Sequence, residues 1–160
     1  ACPAHYYTNF TYWTQHCWGV TCVNDMEAML SYLPITIGDK EQALADLVRC
    51  YEKMMMRSHT NGGYVNLLDE CWKMCEKFNV NIVIMYDHVS CKNVGGLHGL
   101  FEDQARERGI HLIWVPHDVM DPRTVSRREM REAFNQYMST VLREEPLDPT
   151  LLDYEDALSW

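Results

Sequence analysis

The architecture of this chain is indicated by Val80-Asn81-Ile82-Val83-Ile84-Met85-Tyr86, followed by Asp87-His88-Val89-Ser90-Cys91-Lys92-Asn93-Val94-Gly95-Gly96. The first segment is rich in Ile and Val and predicts a buried strand. The second segment holds a turn with glycine before a helical pattern, and a strand, a turn and a helix in this order form half of a βαβ unit. We therefore predict an α/β fold, with a parallel sheet and helices on both faces, of the Rossmann or flavodoxin-like kind.

Other segments continue this alternation. Two more strands are predicted at 18–23 and 110–115, and helices at about 6–16, 26–33, 39–55, 64–78, 97–108 and 126–142. Ser126-Arg127-Arg128-Glu129 has the pattern of a capping box at the start of the last helix. The helix after Asp39 is expected to turn Leu44, Leu47, Val48, Tyr51 and Met55 inward, and the helix at 64–78 to turn Val65, Leu68, Cys71, Trp72 and Cys75 inward. We expect one α/β domain over residues 1–143 and an acidic C-terminal arm over 144–160.

Composition excludes several classes of function. A formal net charge of −9 argues against nucleic acid and against an anionic membrane surface as partners. No apolar run approaches the ~20 residues that span a bilayer. No basic segment precedes an apolar one, so no signal peptide is visible and a cytoplasmic location is expected.

The seven cysteines are expected to be reduced thiols. Cys50, Cys71 and Cys75 lie in helical patterns among apolar neighbours, where a free cysteine packs as a small hydrophobic residue. Cys22 falls inside the predicted strand at 18–23. Cys91 differs, because it follows the strand at 80–86 in a polar loop.

Polar residues follow each predicted strand, and parallel strands would bring them to one edge of the sheet. Asp25 and Glu27 follow the strand at 18–23, and Asp87, His88 and Cys91 follow the strand at 80–86. His117, Asp118 and Asp121 follow the strand at 110–115. Cys2 would join this edge if it follows a strand that precedes residue 1. His117-Asp118 is either an acid/base pair or a hydrogen-bonding support at this edge, or else an ordinary polar loop in which Asp118 or Asp121 accepts backbone hydrogen bonds.

The segment from Asn81 to Lys92, the strand at 110–113 and the loop Asp118-Val119-Met120-Asp121-Pro122-Arg123 together resemble the C-terminal region of 2-hydroxyacyl-CoA dehydratase and benzoyl-CoA reductase subunits. The opening Cys2-Pro3 is also similar to the start of that region, so the resemblance covers residues 1–142.

The resemblance implies a definite chemistry. Subunits of this family pair as heterodimers, and each holds a 4Fe–4S cluster through three cysteines. An ATP-hydrolysing activator protein supplies a low-potential electron, and a radical anion forms on a CoA thioester before loss of water or ring reduction. Cys91 matches the last cluster cysteine of the family, so Cys91 and Cys2 are the candidate metal ligands. Lys92 is a further cofactor-binding candidate beside Cys91, and Asp87, His88 and His117 are the catalytic candidates.

Three functional hypotheses remain open from the sequence. The first is a subunit or fragment of such an iron–sulfur enzyme, with dehydration and reduction both possible. The second is a non-catalytic α/β domain that serves in assembly. The third is a thiol-dependent enzyme in which Cys91 works with His88 or His117 as base.

Overall fold

The computed structural model describes residues 9–26, 33–54, 57, 62–118, 121 and 123–153. The helices are α1 (Phe10–Trp18), α2 (Lys40–Glu52), α3 (Tyr64–Phe78), α4 (Lys92–Gly95), α5 (His98–Arg108) and α6 (Arg127–Gln136), and the strands are β1 (Ile82–His88) and β2 (His111–His117). A π-helical segment, Tyr137–Leu142, continues α6, and a 3-10 turn spans Pro149–Leu151. The chain divides into two compact units, one of Ala1–Val23 with Val80–Trp160 and one of Asn24–Asn79.

β1 and β2 form a parallel pair. Ile82 lies opposite His111, and His88 lies opposite His117. A parallel connection needs a crossover, and here α4 and α5 supply it. The predicted α/β fold with a parallel sheet is therefore confirmed, with a sheet of two strands in the described part of the chain. The Rossmann or flavodoxin-like strand order stays a prediction.

The predicted strand at 18–23 is wrong. Trp18 is the last residue of α1, and residues 19–25 are irregular. Gly19 has a φ of 71° and its N–H bonds back to the carbonyls of Gln15 and Thr14, so this segment terminates a helix. Cys22 is consequently exposed rather than buried in a strand. The predicted helix at 26–33 falls almost entirely on residues 27–32, which lie outside the described residues.

One face of the sheet packs against α1 and α6 in the main hydrophobic core. Phe10 of α1 contacts the rings of Tyr86 and Phe134 edge-on, with centroids 6.0 and 5.8 Å apart. Such aromatic contacts add to the free energy gained from burying the rings. The residues of this core are Phe10, Trp13, Cys17, Trp18, Tyr86, Ile113, Val115, Met130, Phe134 and Met138.

The opposite face of the sheet carries α5. Strand side chains alternate between faces, so Met85 and its partner Trp114 point away from the core that contains Tyr86 and Val115. The ring of Phe101 on α5 meets Trp114 edge-on at 6.1 Å. Helices thus lie on both faces of the strand pair, as predicted.

The second unit contains α2 and α3, and only one of the two predicted inward faces is correct. α3 buries Leu67, Leu68, Cys71, Trp72 and Cys75, whereas Val65 is exposed. On α2 the predicted inward residues Leu44, Leu47, Val48 and Tyr51 are all exposed, and Met55 lies outside the described residues.

On the opposite side of α2 the charged residue Asp46 is buried. The carboxylate of Asp46 accepts the N–H of Thr36 at 2.8 Å and pairs with Arg49. Because Asp46 is the buried residue of α2, the apolar residues on the other side face outward.

Residues 147–152 pack along α1. The N–H of Leu147 donates to the carbonyl of Cys17 at 2.7 Å. The indole N–H of Trp13 donates to the carbonyl of Leu151 at 2.8 Å. The start of the predicted C-terminal arm is therefore hydrogen-bonded to the core helix. Among the described residues, none of the helices has both the length and the hydropathy to cross a membrane.

Candidate functional site at the carboxyl edge of the sheet

β1 and β2 end side by side, and their last residues are both histidines. His88 lies opposite His117, and the N–H of Val89 donates to the carbonyl of His117 at 3.0 Å, which extends the pairing by one bond. Ligands of open α/β sheets bind beyond the carboxyl ends of the strands. Ser90, Cys91 and Asp118 follow directly, so polar side chains gather at the edge where a ligand is expected.

Strand alternation divides the three predicted catalytic residues. His88 and His117 lie on the face of the sheet that packs against α1 and α6, with their ring centroids 5.7 Å apart. Asp87 lies on the other face, because successive strand residues point to opposite sides. The structure therefore brings His88 and His117 together and separates Asp87 from them.

The ring of His88 is held from both sides. Its Nδ1 accepts the backbone N–H of Ser90 at 3.1 Å and lies 3.0 Å from the Ser90 hydroxyl. Because a backbone N–H only donates, Nδ1 is the acceptor, and the neutral ring carries its proton on Nε2. Nε2 lies 3.6 Å from a carboxylate oxygen of Asp118, which is within ion-pair range but longer than a hydrogen bond.

His117 and Asp118 occupy the buried part of this edge. His117 is fully buried, and its ring meets that of Tyr86 edge-on at 5.8 Å. Asp118 accepts the backbone N–H of Asp121 at 3.3 Å, as the polar-loop interpretation of this segment predicts. The same carboxylate oxygen faces His88, so Asp118 connects the loop after β2 to the end of β1.

The loop after Asp118 is closed by a second carboxylate. Asp121 accepts the side chain of Arg123 through both oxygens, at 2.7–3.2 Å, and also its backbone N–H at 2.9 Å. These hydrogen bonds, the side-chain ones foremost, hold the pKa of Asp121 below its usual range. The pair is exposed to solvent at Arg123, so it shapes the loop rather than a buried site.

Asp87 lies beside a histidine of α5. Its carboxylate lies 3.3 Å from Nε2 of His98, the first residue of α5. The contact is close enough for an ion pair but is not aligned as a hydrogen bond. The His98 ring also stacks on Trp114, with centroids 3.6 Å apart and planes 18° from parallel. This Asp87–His98 pair forms the polar group on the α5 face of the edge.

Cys91 lies just beyond β1, at the point where α4 begins. Its N–H donates to the carbonyl of His88 at 2.9 Å, and its own carbonyl accepts the N–H of Gly95 at 3.0 Å. The side chain is half-buried and so more accessible than the buried Cys71 and Cys75. Lys92, the first residue of α4, is exposed beside it.

An iron–sulfur cluster held by three cysteines does not fit the described residues alone. In those parts of the chain, no three His, Cys, Asp or Glu side chains are arranged to hold a metal ion. Cys91 offers one thiolate at the expected edge, and Cys2 lies outside the described residues. A thiolate is the ligand type that such clusters require.

Sequence reasoning missed His98 and Ser90 as members of this edge. The alternation of side chains along β1 was a signal that Asp87 and His88 face opposite ways. His98, at the start of α5, is the histidine on the same side as Asp87. No sequence pattern indicated its contact with Trp114, because Trp114 lies in the middle of β2, distant in the chain.

Comparison with known proteins identifies the family. The family model described as 2-hydroxyglutaryl-CoA dehydratase, D-component, matches residues 1–138. A search of curated proteins and a search of solved structures each found no significant match. The family match covers most of the 160 residues and agrees with the resemblance carried by the segments at 81–92 and 118–123. The chain therefore belongs to the 2-hydroxyglutaryl-CoA dehydratase D-component family.

Proposed function

We propose that this chain is a subunit, or a fragment of a subunit, of an iron–sulfur radical enzyme that acts on acyl-CoA thioesters. The observation that carries this proposal is the family match over residues 1–138. The description of that family favours dehydration of a 2-hydroxyacyl-CoA, a lyase reaction, over reduction of an aromatic acyl-CoA.

Cys91 is proposed to donate one thiolate to a 4Fe–4S cluster. Its position after β1, half-buried and next to the exposed Lys92, supports this role. Cys2 is the second proposed ligand in this chain, and further ligands must come from outside the described residues. When bound, such a cluster supplies a low-potential electron to the thioester.

Asp87, His88 and His117 are proposed as the catalytic residues of this edge. All three belong to the carboxyl ends of β1 and β2. His88 and His117 lie in the buried part of the edge, whereas Asp87 lies on its more exposed side. We therefore propose different catalytic roles for the two faces of the sheet.

The partners proposed for the chain follow from the same family. They are a sister subunit in a heterodimer, an ATP-hydrolysing activator protein and a CoA thioester, in the cytoplasm and without nucleic acid or membrane. We also propose residues 1–143 as the α/β domain and 144–160 as the acidic arm.

The test is the iron and sulfide content of the enzyme purified without oxygen, with and without Cys91→Ser. The substitution replaces a soft thiolate with a harder oxygen, so we expect most of the iron and the visible absorption to be lost. Cys50→Ser is the matched control, because Cys50 has the same intermediate burial and lies on α2. A Cys91→Ser enzyme that kept full iron, absorption and turnover would remove Cys91 from the proposal. A complete enzyme without iron would contradict the proposed cofactor.

A further inference from the structure

The three histidines at the carboxyl edge, His88, His98 and His117, differ in how far their side chains are exposed to a substrate. His117 is fully buried. His88 is about 10% exposed in its side chain, and its two nitrogens face Ser90 and Asp118. The side chain of His98 is 34% exposed, which makes it the most accessible of the three.

His98 is also held in an orientation that suits proton transfer. Its Nε2 faces the Asp87 carboxylate at 3.3 Å, and Trp114 stacks on the flat side of the ring at 3.6 Å. The two nitrogens of an imidazole diverge, so Nδ1 points away from Asp87. A carboxylate beside one nitrogen favours the tautomer with its proton on that nitrogen, and the other nitrogen is then the acceptor, which is the arrangement of a general base. The Asp87–His98 contact is loosely aligned, as catalytic contacts often are without substrate.

We infer that His98 is a catalytic residue that accepts a proton from the acyl-CoA substrate through Nδ1, with Asp87 as its positioning residue. This inference rests on the proposed function. It adds a residue on the α5 face to the candidates that the strand ends supply, and it gives Asp87 a specific task.

The step balances for dehydration of a 2-hydroxyacyl thioester. On the thioester that has accepted the one electron of the proposed function, the C2–O bond breaks and hydroxide leaves. The C3–H bond of the resulting radical then breaks and its proton passes to Nδ1 of His98. A C2=C3 double bond forms, the product gives up the one electron, and the protonated His98 returns its proton to solvent, so water is lost without net oxidation. Asp87 stabilises the imidazolium form that exists between these events.

The first experiment tests accessibility without requiring turnover. The purified chain is treated with diethylpyrocarbonate, and modified histidines are mapped by mass spectrometry. Among the three edge histidines, His98 should react first, at least about tenfold faster than His117, because the reagent attacks exposed neutral imidazole nitrogens. Asp87→Asn should change the rate at His98 and leave His111, at the other end of β2, unaffected. Reaction of His88 or His117 before His98 would overturn the inference.

The second experiment tests the chemical role in the complete enzyme. His98→Ala should lower kcat by about 10²–10⁴-fold with a small change in KM, as loss of a general base does. Added imidazole should restore part of kcat, an effect that a residue with a merely structural role would not show. Asp87→Asn should lower kcat without imidazole rescue. His111→Ala is the control, because His111 is an exposed histidine at the opposite edge.

The outcomes separate this inference from the proposed function. Dehydration that survives His98→Ala, or a loss that imidazole does not relieve, overturns the role of His98 and leaves the dehydratase proposal standing. A complete wild-type enzyme with iron but without turnover on any 2-hydroxyacyl-CoA overturns the proposed function, and with it the assigned reaction.

Discussion

The carboxylate of Asp87 lies 3.3 Å from the ring of His98, although Asp87 is the immediate neighbour of His88 in the chain. His88 instead faces Asp118 at 3.6 Å on the other side of the sheet. The carboxyl edge therefore carries two histidine–aspartate pairs, one on each face. The Asp87–His98 pair is partly exposed to solvent, whereas the His88–Asp118 pair is mostly buried.

The orientation of the His88 ring predicts its tautomer. Neutral His88 should carry its proton on Nε2, because Nδ1 accepts the N–H of Ser90. Long-range ¹H–¹⁵N NMR of the ring distinguishes the two tautomers directly. Ser90→Ala should leave the tautomer unchanged, since the backbone donor remains, whereas a proton found on Nδ1 would contradict the geometry.

The cysteines should differ strongly in their reactivity with iodoacetamide. Cys22 is exposed and should label first, with Cys91 following ahead of Cys71 and Cys75. Cys17 should label last, because it is fully buried and burial, aided by the nearby charge of Asp148, raises the pKa of its thiol. Time-resolved mass spectrometry of the native protein gives the order. Labelling of Cys17 together with Cys22 would show that α1 is not packed as described.

The stability of the folded chain should depend strongly on Phe134. Phe134→Ala should lower the free energy of unfolding by about 3–5 kcal/mol, because the ring is fully buried between Phe10 and Trp13 and leaves a cavity. Val141→Ala, at an exposed position, should change it by less than about 0.5 kcal/mol. Urea unfolding of the two variants measures the difference, and equal effects would refute the proposed packing of α6 on α1.

The capping box at α6 should make stability depend on pH. The Ser126 side chain accepts the N–H of Glu129, and the Glu129 carboxylate accepts the backbone N–H and hydroxyl of Ser126. These bonds lower the pKa of Glu129 in the folded chain. The unfolded chain then binds more protons between the two pKa values, so the stabilisation is present above the unfolded pKa and is lost as pH falls through the folded one.

Glu129→Gln is the variant that isolates this effect, because it removes the titrating carboxylate, whereas the backbone N–H of residue 126 remains after any substitution of Ser126 other than proline. It should lower the free energy of unfolding at neutral pH. Its unfolding free energy should also fall less steeply than that of the wild type below about pH 4.5, near the ordinary pKa of glutamate. Parallel curves for the two proteins across acid pH would remove Glu129 from the cap.

Local patterns were enough for most of the secondary structure. The Ile- and Val-rich run at 80–86 predicted β1, Gly109 marked the end of α5, and Ser126 with Glu129 predicted the start of α6. These signals are contained within a few residues, because capping, turn geometry and strand preference act between near neighbours in the chain. The family resemblance was carried by equally local segments, and the match over residues 1–138 confirms the family.

The face that each helix buries, and the polar side chains that meet, depended on contacts between segments distant in the chain. Leu44, Leu47, Val48 and Tyr51 form an apolar stripe that the sequence pattern places inward, yet all four are exposed and Asp46, on the other side of the helix, is buried. His98 finds Asp87 and Trp114 only because α5 packs on one face of a parallel pair. A sequence pattern gives the faces that an element has, while packing against the rest of the chain selects which face is buried and which polar groups meet.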